Sequence, residues 1–248
     1  MTRATLFISD LHLGPHDPAT VAAFRQFLAG PARQADALYI LGDLFEYWLG
    51  DDQLDDAFYG DIARDIAQLK SANVAVYFMA GNRDFLPGQR FAQAAQLTII
   101  PDPSIIELGG QTILLAHGDA YCTDDVGYQR YRKLARNRLV QWIWLNLPRR
   151  IRDREAQKLR NKSKAMNQHK SQMIMDVNNA AIEAALKKYA TKVLIHGHTH
   201  KPFTHQYPTG LRYVLPDWHL GEGGYLAHDG QQLRLLRLDG TSFKSSNE

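Results

Sequence analysis

A layered α/β domain interrupted by a long helical insertion is what this 248-residue sequence predicts, on three observations. Short apolar runs alternate with helical patterns through about residue 120, the signature of a sheet with helices on its faces. From Asp125 to Tyr189 the pattern turns almost wholly helical. Strand patterns then return and continue close to the C-terminus.

The runs are Leu6-Phe7-Ile8, Leu38-Tyr39-Ile40-Leu41, Val74 to Met79, Ile113 to Ala116 and Val193-Leu194-Ile195, with more around 211–215 and 232–238. Rich in branched and aromatic residues and closed by Gly or polar residues, they read as buried strands. Helical patterns occupy 18–29, 53–72 and 88–96. In the insertion, Tyr128, Tyr131, Ala135, Leu139 and Trp142 form one helical stripe, and Pro148 breaks the pattern. The spacing thus predicts a core of residues 1–124 and 190–248, with 125–189 as a helical lid over the site. Thr241 to Glu248 reads as a frayed tail.

Bulk properties narrow the class. An apolar content of 45% and a charged content of 22% are ordinary for a globular protein. Cys122 is alone, which excludes an internal disulfide or a Cys-built zinc site and favours a reducing, cytoplasmic setting. No secretory leader pattern precedes the first strand, and no run approaches the ~20 apolar residues that span a bilayer. The net charge of +3 hides an asymmetry: fourteen of the 29 Lys and Arg lie between Arg130 and Lys170, against only Asp153 and Glu155. So local an excess points to an anionic partner such as phosphates, lipid headgroups or nucleic acid.

Five polar motifs follow the five named runs: Asp10-Leu11-His12, Gly42-Asp43, Gly81-Asn82-Arg83-Asp84, His117-Gly118-Asp119 and His196-Gly197-His198-Thr199-His200. Ligands of open α/β sheets sit beyond the carboxyl ends of the strands. Five such ends would gather Asp, Asn and His into one cluster. Asp10 and His12, two apart on an extended chain, would share a face, as would His198 and His200. Oxygen and imidazole donors without sulfur suit Mn²⁺, Fe, Zn²⁺ or Mg²⁺. Asp43, alone in its motif, is the natural carboxylate to bridge two cations.

In this order the motifs resemble the calcineurin-like metallophosphoesterase superfamily. The resemblance implies a layered β-sandwich flanked by helices. It further implies one metal on Asp10, His12, Asp43 and His200, and a second on Asp43, Asn82, His117 and His198. His196 precedes the pattern and is not expected to bind. Arg83 stands where that pattern has His. An imidazole can protonate an alkoxide leaving group, whereas a guanidinium does not deprotonate and can only stabilise phosphoryl charge. A phosphate leaving group, with a second pKa of about 6, needs no such proton. The substitution therefore points to a pyrophosphate substrate.

Gly42 to Asp52, Gly81 to Leu86, the His117 motif with Cys122, Ile195 to His200 and the basic segment together resemble the UDP-2,3-diacylglucosamine diphosphatases of lipid A biosynthesis. Pro216, where that family has Gly, departs locally. The resemblance implies two Mn²⁺ per chain, UDP-2,3-diacylglucosamine as substrate, and catalytic roles for Asp43, Asn82, Arg83 and His117. Ser163, Asn167 and Lys170 share a helix face, and the resemblance carries substrate binding onto them and onto Asp125, Asn82, Arg83 and His198. Leu139 to Leu147, with two Trp and flanking Arg, suits a headgroup boundary or an acyl slot. A diacylated substrate would place the protein peripherally on the cytoplasmic face of the bacterial inner membrane, with neither nucleic acid nor an obligate protein partner. A nuclease or cyclic-nucleotide phosphodiesterase on the same site is the alternative. A binding scaffold without turnover is a third reading, disfavoured because all seven ligand positions are filled.

Overall fold

The computed structural model describes residues 3–167 and 176–243, giving the backbone course alone for 160–167. Its centre is two sheets packed face to face. In the first, β1 (Thr5–Ile8), β2 (Ala37–Ile40), β3 (Ala75–Met79) and β4 (Thr98–Ile100) are parallel neighbours. Antiparallel β10 (Gly224–His228) and β11 (Leu233–Arg237) extend it beyond β1. In the second, parallel β6 (Gln111–Ala116), β7 (Val193–His196) and β9 (Gly210–Val214) lie between antiparallel β5 (Ser104–Leu108) and β8 (Phe203–Tyr207). The layered sandwich expected from the sequence is therefore present.

Period-2 alternation explains why both faces of these strands are apolar. Phe7, Leu41 and Met79 point inward against Ile113, Leu115 and Ile195 of the second sheet. Phe7, Tyr39 and Tyr77, directly opposite one another across β1, β2 and β3, stack at 5.1 and 4.6 Å. The alternate residues Leu6, Ile8, Leu38, Ile40 and Phe78 face outward, against α1 (Pro18–Ala29), α2 (Ala57–Ala67) and α3 (Gln89–Ala95).

Helix α1 has the bounds expected from sequence: Pro18 opens it and Asp17 caps it, accepting from Thr20 N at 3.1 Å and Thr20 Oγ1 at 2.6 Å. The long pattern over 53–72 resolves into α2 between two 3₁₀ turns, the second ended by left-handed Asn73. Strands β4, β5, β8 and β10 went unread; β4 has only three residues, and β8 mixes polar and aromatic side chains.

The insertion carries α4 (Val126–Ala135), α5 (Arg138–Leu145) and α6 (Arg149–Asn167). Besides Pro148, Asn137 interrupts it, accepting from Leu139 N and Val140 N as an N-cap, so the expected stripe is shared between two helices. Within the 125–189 span, α7 (Asn179–Lys188) packs Ile182, Ala185 and Leu186 on Leu114 and Leu194 of the second sheet, so its contacts join it to the core. Part of the basic excess faces the core rather than an outside anion. Arg149 pairs with Asp56, and buried Arg152 with Asp52 and the Leu49 carbonyl. Within the expected tail, Phe243 N–H donates to Leu235 O at 3.1 Å and its ring packs on the inter-sheet core, so Thr241 to Phe243 are not frayed. No helix among the described residues is long and apolar enough to cross a membrane.

Replacing Asp17 by Ala is expected to cost about 1 kcal/mol at pH 7 in urea unfolding. The hydrogen bonds from Thr20 lower the Asp17 pKa below its ordinary 3.8. Its contribution is thus present above pH 3.8 and fades as pH falls through the folded value. A wild-type-to-variant gap that stays constant on acidification would contradict the cap's charge dependence.

Candidate metal centre

The five motifs stand at the ends of parallel neighbours, three on the first sheet (β1, β2, β3) and two on the second (β6, β7). The site therefore straddles one rim of a sandwich rather than the crevice of a single open sheet. The backbone leaves strand geometry at once: Asp10, His12, Asp43, His198 and His200 all have positive φ, between 47° and 71°. Non-glycine residues rarely adopt this region, and it collects where surrounding structure holds strain for function. Asp10 and His12 converge because the chain turns, and not because it is extended.

Local anchors impose those turns. Asp84, fully buried, accepts from the N–H groups of Asp43 (3.0 Å), Leu44 (2.7 Å), Phe45 (3.3 Å) and Gly81 (2.9 Å), tying the loop after β2 to the loop after β3. A Cβ on Gly81 would come within 2.2 Å of Asp43 Oδ1, so only glycine lets these loops approach. Asp10 Oδ2 accepts from Ser9 Oγ at 2.6 Å and from His198 N at 2.8 Å, joining the end of β1 to the end of β7 across the sandwich.

Two groups of donor atoms result, Asp10 with His12 and His200, and Asp10 with Asp43 and His117. The two oxygens of Asp43 face one each: Oδ2 lies 3.8 Å from His12 Nε2 and Oδ1 lies 3.7 Å from His117 Nε2. Asn82 Oδ1 is 2.9 Å from His117 Nε2, and the His198 ring lies 5.1 Å from that of His117. Five of the seven residues expected to hold metal thus fall in these groups, and Asn82 and His198 lie against His117.

The donor chemistry fits a cation. Asp10 Oδ1 and His12 Nδ1 are buried without a hydrogen-bond partner, and His12 Nε2 faces His200 Nε2 at 3.4 Å. With His117 Nδ1–H donating to the Leu41 carbonyl at 2.9 Å, the Nε2 lone pair is turned toward the oxygens of Asn82 and Asp43. Lone pairs so apposed repel unless a positive charge lies among them. Burial opposes a cation on His117, but the carboxylates of Asp43, Asp119 and Asp10 outweigh it and raise its pKa to about 9. The same field would favour a metal ion in the proton's stead. Burial, reinforced by His117, pushes His198 down to about 4. His196 stands apart as expected, its Nδ1 at 2.8 Å from the Gly197 carbonyl and its pKa pushed by burial to about 3.

Arg83 donates its backbone N–H to Asp43 Oδ1 at 2.8 Å, while among the described residues no carboxylate pairs with its guanidinium. Asp125 caps α4 through Tyr128 N at 3.0 Å. Tyr128 lies over the His198 ring at 6.2 Å and donates to Asp119 Oδ2 at 2.5 Å. Arg132 binds Asp119 and Asp102 at 2.8 and 2.9 Å, and Arg136 reaches the carbonyls of Ala80 and Gly81. These contacts seat the insertion beside the cluster. Of the expected substrate contacts, the side chains of Ser163 and Asn167, and all of Lys170, lie outside the described residues.

Sequence reasoning did not assign roles to Asp84, Ser9 or Asp217. Asp84 carried a signal within its motif. Asp217 Oδ2, which lies 3.6 Å from His200 Nδ1 as an orienting carboxylate, carried none.

The decisive comparison is with a family model described as calcineurin-like phosphoesterase, which matches residues 4–202. The chain belongs to the calcineurin-like phosphoesterase family. Curated relatives match over nearly their whole length. The protein named UDP-2,3-diacylglucosamine hydrolase from Escherichia coli O81 (strain ED1a) is 47% identical over 239 residues, 95% of this chain and 99% of that one. The proteins of the same name from Photorhabdus laumondii and Edwardsiella ictaluri are 47% identical over 219 residues and 44% over 240. Those alignments cover 87% and 95% of this chain, and 91% and 92% of theirs.

Asp84→Asn would present an amide N–H to backbone N–H donors and loosen both loops. Divalent-metal affinity is expected to fall about 10–100-fold, read by titration calorimetry. Unchanged affinity would mean that the loops hold without Asp84.

Proposed function

We propose that this chain hydrolyses the pyrophosphate bond of UDP-2,3-diacylglucosamine, with water attacking the α-phosphorus, to give UMP and 2,3-diacylglucosamine 1-phosphate. The observation that carries the reading is near-full-length identity of 44–47% to hydrolases of that name, in a chain that brings Asp10, His12, Asp43, His117 and His200 together. Asp10, His12, Asp43 and His200 would hold one Mn²⁺, and Asp43, Asn82, His117 and His198 another. Bound there, the ions would lower the pKa of water and neutralise phosphoryl charge.

The remaining work falls to the chain itself. The His117 ring is fixed through Leu41 O, so its Nε2 keeps one direction. The backbone N–H of Arg83 holds Asp43, and its guanidinium offers a fixed cation to the phosphoryl oxygens without donating a proton. The leaving phosphate needs none. Residues 125–189 would serve as the substrate lid. There Asp125, Ser163, Asn167 and Lys170, with Asn82, Arg83 and His198, would hold the sugar and phosphates. On α5, Leu139 and Trp142 are 65% and 63% exposed while Trp144 packs inward, leaving an apolar outer face between Arg138 and Arg150. That face suits acyl chains and peripheral contact with the inner membrane.

Hydrolysis of UDP-2,3-diacylglucosamine in water enriched in heavy oxygen, with Mn²⁺ added to chelated protein, tests the reading. Label is expected in UMP; label in the lipid product would reject attack at the α-phosphorus. Asp43→Ala, which removes the carboxylate facing both donor groups, is expected to abolish turnover, and near-normal rates would reject the two-metal arrangement. Arg83→His is expected to lower the rate by removing a fixed cation, and an unchanged kcat/KM would deny Arg83 its role.

A further inference from the structure

Beyond Thr199, which stands between His198 and His200, a separate cavity of about 400 Å³ opens on the outer face of the second sheet. Its floor is β8 and β9, where His205 lies opposite Arg212 and Phe203 opposite Val214. Arg212 is only 5% exposed, yet its Nε is enclosed without any hydrogen-bond partner. Among the described residues no carboxylate comes within ion-pair distance of it. The Tyr207 ring lies 5.6 Å from the guanidinium carbon, and the Asp176 carboxylate acts on it only from beyond ion-pair distance. Asp176, the only acidic residue among the described residues that line the cavity, is engaged by Lys201 Nζ at 2.9 Å. Burial pushes the Arg212 pKa down, and burial followed by the Arg212 charge pushes His205 down to about 4, so His205 is neutral near pH 7.

A guanidinium out of water without a counter-ion is costly, and native proteins pair or ligand such charges. With Arg212 and Lys201 positive, Asp176 negative and His205 neutral, the cavity is left with one uncompensated positive charge. Arg presents a planar fork of donors that matches phosphate oxygens. We infer that this cavity is a second anion site, distinct from the metal centre, in which Arg212 and Lys201 bind a phosphate-type oxyanion. Two sources share that chemistry, free inorganic phosphate and the phosphate of a mononucleotide, whose ring would rest on Phe203.

Isothermal titration of the full-length chain with inorganic phosphate and, separately, with UMP, each before and after chelation, tests the site. One saturable site is expected to survive chelation. Losing one charged contact should weaken it about tenfold in Arg212→Met, and measurably in Lys201→Met. Lys201 is half exposed, so the second variant decides the matter if the first does not fold. Equal affinities for the two probes would identify a site that reads the oxyanion alone. Tighter binding of UMP, with the advantage lost in Phe203→Ala, would identify a nucleotide site. The inference is overturned if no saturable binding is seen, if binding vanishes with the metal, or if neither charge substitution weakens it.

Discussion

Asp84, a carboxylate without solvent contact, holds the loop after β2 to the loop after β3 by accepting four backbone N–H groups. Everything at the rim of the sandwich depends on that tie. It puts Asp43 in the middle of the donor cluster and presents Arg83 N–H to Asp43 Oδ1. It also sets two carboxylates close together: burial first, and then the charge of Asp43, raise the Asp84 pKa to about 7. A cation held by Asp43 relieves that repulsion, so metal binding and loop order are linked through the same pair. On the opposite side, Asp10 plays the matching part by joining the ends of β1 and β7 through His198 N.

Electrostatics also attaches the insertion to the core. The basic segment is counterbalanced by an acidic remainder, and specific pairs convert that bulk asymmetry into geometry. Arg132 and Arg136 reach Asp102, Asp119 and the carbonyls of the third motif's loop, and Arg149 and Arg152 reach the 3₁₀ turn and N-cap before α2. Tyr128 both donates to Asp119 and lies over His198, so the seating of α4 reaches the His198 ring through packing. Tight partners of low exposure such as Arg132–Asp119 fix position more than they add stability. The apolar outer face of α5, with Leu139 and Trp142, is left free of the core by the same arrangement, while Trp144 packs inward.

Much of the fold was legible because local rules governed it. The helical pattern over 18–29 became α1, and each of the five apolar runs became a strand. Strands with weak alternation were not: β8 reads Phe-Thr-His-Gln-Tyr and is defined by its pairing with β9. The break at Asn137 was missed because helical periodicity runs through it, while the side chain's cap on Leu139 and Val140 overrides propensity. Phe243 was read as tail because nothing in the polar residues around it announces that its ring reaches the inter-sheet core.

The sequence by itself determined which residues stand at the strand ends as candidate donors: their types, their order and the departure at Arg83 are chemical facts independent of coordinates. Only the tertiary structure decided how they meet. The five ends belong to two sheets, five of the candidate donors turn through left-handed backbone, and Asp84, Asp10 and Asp217 hold the cluster by contacts spanning up to 188 residues of chain. The buried Arg212, which has no carboxylate within ion-pair distance among the described residues, likewise emerged only on folding. Burial and the absence of a counter-charge are properties of what surrounds a side chain, and local sequence does not encode them.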